Sequence, residues 1–251
     1  MATVILVRHG RSTANADGVL AGRLPGVKLD ERGHEQAIVT AARLATVRLA
    51  AVVTSPLERC KQTAKAITAQ QTAPPALATE RKLSECDYGD WQGRPLKDLA
   101  KEPLWKIVQS QPSAAAFPGG ESMRGMQDRA VEAVRRHDRL VEEKHGPGAV
   151  WVAVSHGDVI KAILADALGT HLDLFQRIQV DPASVSIVRY TEARPYVLGT
   201  NTSAGDLSWL TPPPSSTRKR RPRARSAAVD DAMVGGGAGP GSAGPSSGPA
   251  S

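Results

Sequence analysis

The stretch Thr3-Val4-Ile5-Leu6-Val7-Arg8-His9-Gly10 decides the fold. Five mostly β-branched residues run without a charge into an arginine, a histidine and a glycine. A continuous run of this kind reads as a strand buried on both faces, and so as part of a parallel or mixed sheet. Arg8, His9 and Gly10 then fall where the strand ends and the chain turns. Open α/β sheets collect ligands in the crevice outside the carboxyl ends of their strands. A guanidinium there offers a planar fork to two phosphate oxygens, and a neutral imidazole can attack phosphorus.

The same pattern returns twice. Leu49 to Val53 reads as a second buried strand and runs into Ser55-Pro56-Leu57-Glu58-Arg59. Ser55 and Glu58 have capping-box spacing, and Pro56 suits a first helical position. A helix is therefore expected to start here, with Arg59 about one turn in. Helix N-termini attract phosphate through free amide hydrogens and the macrodipole. Ala149 to Val154 reads as the third strand and leads through Ser155-His156-Gly157-Asp158 into an apolar helix ending near Leu168. Three strand ends thus offer Arg8 and His9, Arg59, and His156.

Between these landmarks the signals are weaker. Residues 11–15 are small and polar and read as a loop, in which Asn15 could donate an amide hydrogen to the same phosphate. Gly22-Arg23-Leu24-Pro25-Gly26 is loop-like too. Asp30 is a good N-cap for a helix over about 31–47, with Ala37, Ile38, Ala41, Leu44 and Ala45 on one face. The segment 84–93 mixes Glu85, Asp87 and Asp90 with Tyr88 and Trp91. A carboxyl beside aromatic surface can have its pKa raised enough to act as an acid, and composition does not choose among the three. Residues 95–110 are helical in pattern but broken at Pro103. A long amphipathic helix follows from Glu121, with His137 on its apolar stripe as a packed or edge histidine without assigned function. Residues 183–190 and 196–199 read as two closing strands.

Composition bounds the rest. The 251 residues carry a net charge of +7, of which the residues from Pro212 onward supply +4 and residues 1–211 only +3. The high pI is thus largely the tail's, and it does not argue for nucleic acid. Residues 212–251 are basic and then rich in Gly, Ser, Pro and Ala, and are expected to form a disordered tail whose loss costs little. Six cations without an interleaved aromatic suit a solvated segment better than a nucleic-acid site. Two cysteines are too few for a disulfide framework and suit a reducing compartment. The first apolar run lacks the basic start of a signal peptide, and no segment approaches a membrane span. A cytoplasmic protein is expected, its oligomeric state left open, a homodimer included.

Taken in order, RHG at 8–10 with Asn15, SPLERCKQTA at 55–64, LSECDYGDWQG at 83–93, PGGES at 118–122 and SHGDVI at 155–160 resemble the histidine phosphatase superfamily, the phosphoglycerate-mutase-like fold. The resemblance covers about residues 3–200. It implies a three-layer α/β/α sandwich with a mostly parallel central sheet, in a domain spanning 1–211. His9 matches the nucleophile that becomes phosphohistidine, and Glu85 matches the proton donor. Arg8, Arg59 and His156 match the rest of the phosphate pocket. The family needs no metal and no cofactor, and its substrate would be a small phosphomonoester. Only 71 positions separate Glu85 from His156, whereas mutases of the family usually carry a longer insertion there. Together with Gly89-Asp90-Trp91-Gln92-Gly93 this favours a phosphatase over a phosphomutase. Gly22 to Val27 resembles a subgroup labelled as phosphomutases. A phosphate-recognising regulatory module is the reading outside enzymes, and it would require neither a nucleophile nor an acid.

Overall fold

The computed structural model describes residues 2–204 together with Gly235 and Gly237. Six strands form one sheet: β1 (Thr3–Arg8), β2 (Ala51–Thr54), β3 (Ala76–Thr79), β4 (Val150–Ser155), β5 (Val185–Arg189) and β6 (Tyr196–Thr202). Their order is β3-β2-β4-β1-β5-β6. The first four are mutually parallel, and β5 and β6 are added antiparallel, each to its neighbour. The helices are α1 (Thr13–Asp17), α2 (Glu31–Leu44), α3 (Glu58–Ala69), α4 (Leu96–Leu99), α5 (Pro103–Ser110), α6 (Met123–His145) and α7 (Gly157–Ala167).

The unbroken apolar run of β1 has a direct cause. Successive strand side chains point to opposite faces, and both faces are cores. Val4 and Leu6 join the core beneath α6 and α7, with Trp151, Ala153, Met126 and Ile160. Ile5 and Val7 join the one beneath α2 and α3, with Leu44, Val52, Ala64 and Ile67. A sheet between two helical layers is the expected three-layer arrangement. Arg8 pairs in register with Ser155, and Thr54 with Val154, so the three predicted strand ends share one edge.

Several local expectations need correction. The segment read as a loop at 11–15 contains α1, because Ser12 and Asn15 form a reciprocal capping box. Asp30 caps α2 as expected, but the helix stops at Leu44 and Ile38 lies exposed. The break at Pro103 is the start of α5, with the proline in its first turn, where its missing N–H costs nothing. Helix α3 begins at Glu58, two residues later than the Ser55 spacing predicts, and its cap Leu57 makes no side-chain bond. The expected tail, 212–251, lies outside the described residues except at Gly235 and Gly237. Those two stand against the site described next. Among the described residues no helix is long and apolar enough to cross a membrane.

Candidate active site

The edge where β1, β2 and β4 end carries the pocket. His9 N–H donates to the Ser155 carbonyl (3.0 Å), which ties the first strand end to the third. Gly10 follows at a point where a Cβ would lie 2.3 Å from the Gly33 carbonyl oxygen. Only glycine lets this turn pack on the start of α2. Arg8, His9, Arg59, Glu85 and His156 are 1, 3, 2, 3 and 0% exposed. The structure therefore brings five of the six predicted site residues into one buried cluster. The sixth, Asn15, uses its amide oxygen on the Ser12 N–H (3.1 Å) and hydroxyl (2.9 Å), as the capping partner of α1.

Hydrogen bonds define both imidazoles. His9 Nδ1 lies 2.7 Å from the Gly10 carbonyl, so it carries the proton and donates. Its Nε2 accepts from Arg59 Nε at 3.2 Å. His156 is the mirror case: its Nδ1 accepts from Arg59 Nη2 at 3.3 Å, and its Nε2 donates to Ser55 Oγ at 2.8 Å. Ser55 also receives the Leu57 N–H, so the hydroxyl that sequence spacing assigned to a capping box serves the second histidine instead. The rings meet edge-on, with centroids 5.2 Å apart.

Electrostatics keep both rings neutral. Burial pushes the His9 pKa well below its ordinary value, and the Arg59 and Arg8 charges push it further. Burial and Arg59 do the same to His156. Arg59 Nη2 also donates to the Gly22 carbonyl (2.8 Å), while its buried Nη1 has no acceptor among the described residues. Such a nitrogen suits an anionic oxygen.

Glu85 is the other polarity. Burial and the neighbouring Asp158 raise its carboxyl to about 7, against the Cys86 N–H and the Arg59 and Arg8 charges. An acid that keeps its proton up to about pH 7 therefore stands in a cluster of neutral bases and guanidinium groups. Its segment is held by groups that sequence reading missed. Arg129, on α6, donates to the carbonyls of Lys82, Ser84 and Glu85 at 2.6, 2.8 and 3.0 Å. Glu121, from the PGGES motif, receives Arg129 and Arg23 at 2.6 and 2.7 Å. No local pattern marks Arg23 or Arg129, because the carbonyls that Arg129 holds lie 44 to 47 positions away and Arg23 reaches Glu121 across 98. Among the described residues no group of three or more His, Cys, Asp or Glu side chains is placed to hold a metal ion.

Comparison with known proteins agrees with this geometry. Residues 4–203 match the model of the histidine phosphatase superfamily, branch 1. The chain is 31% identical over 204 residues to phosphoserine phosphatase 1 of Hydrogenobacter thermophilus, covering 80% of this chain and 92% of the relative. It is 28% identical over 216 residues to a Salmonella choleraesuis protein named probable phosphoglycerate mutase, covering 85% and 97%. The structure of the α-ribazole phosphatase from Shigella flexneri superposes with a TM-score of 0.68 at 26% identity, over 81% of this chain and 98% of that one. A pocket built from three parallel strand ends and a family match over nearly all the described residues lead to one conclusion: this chain belongs to the histidine phosphatase superfamily.

Proposed function

We propose that this protein hydrolyses small phosphomonoesters through a phosphohistidine formed on His9. The observation that carries the reading is the state of His9. Its Nδ1 proton is engaged with the Gly10 carbonyl, and its lone pair at Nε2 faces the guanidinium of Arg59. In the first step Nε2 attacks phosphorus as the ester P–O bond breaks, and Glu85 gives its proton to the departing oxygen. Arg8 and Arg59 hold the phosphoryl oxygens as charge grows on them, and His156 joins them as a donor once its Nδ1, which accepts from Arg59 in this structure, takes up a proton. Each such donor is typically worth about 3–4 kcal/mol in the transition state. In the second step the Glu85 carboxylate takes a proton from water, the water oxygen attacks phosphorus, and the P–N bond breaks. His9 and the protonated Glu85 are regenerated. The buried free thiols Cys60 and Cys86 suit a reducing, cytoplasmic setting.

His9→Ala should abolish turnover and the acid-labile phosphoenzyme together. Phosphate trapped on His156 instead would overturn the assignment. A phosphomutase is the second reading, favoured by the likeness to the Salmonella protein. Phosphate release from sugar phosphates, phosphoglycerates and nucleotides, measured without added bisphosphoglycerate, separates the two. A hydrolase releases phosphate under those conditions, and a mutase dependent on a primed histidine does not.

A further inference from the structure

Part of what lies against the pocket that should receive a phosphomonoester comes from the far end of the chain. Gly237 presents its carbonyl oxygen to Arg8 Nη2 at 2.9 Å. Gly235 donates its N–H to Asp158 Oδ2 at 3.0 Å. We propose that the carboxyl-terminal segment bearing Gly235 and Gly237 is an autoinhibitory strap, and that the surface formed by Arg8, Asp158, Tyr88 and Leu20 is its docking site. The proposal rests on the reading of Arg8 as a phosphate ligand.

Polarity decides between a strap that blocks and a lid that helps. A segment that completes a phosphate site offers N–H groups to the anion, as helix N-termini do. Here the group turned toward the phosphate-binding arginine is a carbonyl oxygen, an acceptor like the phosphate oxygen it would displace. The Gly235 N–H goes to a carboxylate instead. The carbonyl therefore imitates the anion.

The anchor is specific. Asp158 is fully buried, and its Oδ2 also accepts the Tyr88 hydroxyl at 2.7 Å. A buried carboxylate that loses a donor is costly, so the Gly235 N–H has a defined place to go. Glycine is favoured there, because Gly235 has a φ of +76°, a conformation that L side chains adopt only with strain. The reach is ample. Strand β6 runs in the direction of β1, and Thr202 pairs with Val185, which itself pairs with Val7. The chain thus leaves the sheet at the edge that carries the site. The 30 positions from 205 to 234 could span up to about 100 Å.

The test uses the full chain, the full chain with Gly235→Val, and a chain ending at Val234, which keeps every described strand and helix. Inorganic phosphate binding is measured by calorimetry, and kcat/KM with p-nitrophenyl phosphate. If the strap is docked nine-tenths of the time, releasing it should tighten phosphate binding and lower KM by about tenfold. A synthetic peptide of residues 230–240 should then inhibit the shortened chain competitively with substrate. Unchanged or weaker phosphate binding in both altered proteins, with melting temperatures intact, would overturn the strap. Tighter phosphate binding without turnover of any ester would leave the strap standing and sink the phosphatase reading. Turnover with phosphate affinity unmoved would do the reverse.

Discussion

Glu80 and Glu85 stand five positions apart on the same connection, and their surroundings drive them in opposite directions. Partial burial pushes Glu80 up, yet the Lys82 N–H, His137 and Arg136 outweigh it and hold the carboxyl below its ordinary range. Glu85 also has an N–H donor, at Cys86, and two arginines nearby, yet burial and Asp158 win and it rises to about 7. The difference is contact. His137 Nε2 lies 3.0 Å from Glu80 Oε2, and Arg136 donates directly to the same oxygen. The arginines near Glu85 spend their bonds elsewhere, on His9, Gly22, Val180 and Gly237. A nearby charge without a hydrogen bond does not hold a buried carboxylate ionised. One glutamate is therefore a structural anion, and the other is an acid ready at neutral pH.

The sharpest way to break this contrast is Glu85→Gln. With its proton gone, esters of aliphatic alcohols should slow by about 10²–10⁴-fold, the usual range for general acid catalysis. Aryl phosphates should lose far less in the first step, because a phenolate can depart unprotonated. Asp87→Asn and Asp90→Asn should show no such leaving-group dependence. Equal slowing of aryl and alkyl substrates by Glu85→Gln would make Glu85 a positioning group.

The same raised pKa predicts two pH effects. For alkyl esters kcat/KM should fall about tenfold per pH unit above about 7 as Glu85 loses its proton. That limb should vanish in Glu85→Gln, which cancels the ionisation of the substrate common to both proteins. Stability carries the same sign. The folded carboxyl binds its proton more tightly than the unfolded one, so folding weakens as pH rises from about 4.5 to about 7. The loss over that window should be about 3 kcal/mol, and denaturant midpoints of Glu85→Gln should lack it.

Half of this site was legible in the sequence, and the reason is the double burial of the sheet. Strands covered on both faces spell continuous apolar runs, so the ends at Arg8, Thr54 and Ser155 stood out, and with them Arg8, His9, Arg59 and His156. Glu85 did not stand out on composition, since Asp87 and Asp90 lie in the same window. What separates them is tertiary. Glu85 is buried, Asp87 accepts the Gly89 N–H and pairs with Arg23, and Asp90 is exposed. Ser55 misled for the same reason, because its partner is His156, 101 positions away. Gly235 and Gly237 could not be read at all. A glycine-rich tail looks the same whether it floats or docks.

Arg129 sharpens the contrast at a lower level of effect. It clamps three carbonyls around Glu85 while touching no predicted substrate group. Arg129→Lys keeps the charge but loses the fork that spans these carbonyls and Glu121. The acid should then sit loosely, with alkyl phosphate turnover down about tenfold and phosphate affinity unchanged. A purely structural role would lower the melting temperature without any leaving-group dependence.

The smallest effect belongs to Glu80, where activity should not change at all. Glu80→Gln removes the anion that receives His137 and Arg136 on α6 and the Lys82 N–H at 2.9 Å. The amide oxygen can still accept, so the cost should be about 1 kcal/mol, the net worth of one hydrogen bond. The sign of its pH dependence is opposite to that of Glu85. A carboxyl held below its ordinary range stabilises the fold above that range, and the contribution disappears as pH falls through the folded value. The difference in stability between the parent and Glu80→Gln should therefore be full at pH 7 and shrink toward zero as pH falls below the ordinary carboxylate range. The kcat/KM profiles of the two proteins should superimpose throughout. A loss of activity with alkyl esters in Glu80→Gln would mean that the two glutamates act as one unit, and that Glu80 sets the proton affinity of Glu85 through the chain between them.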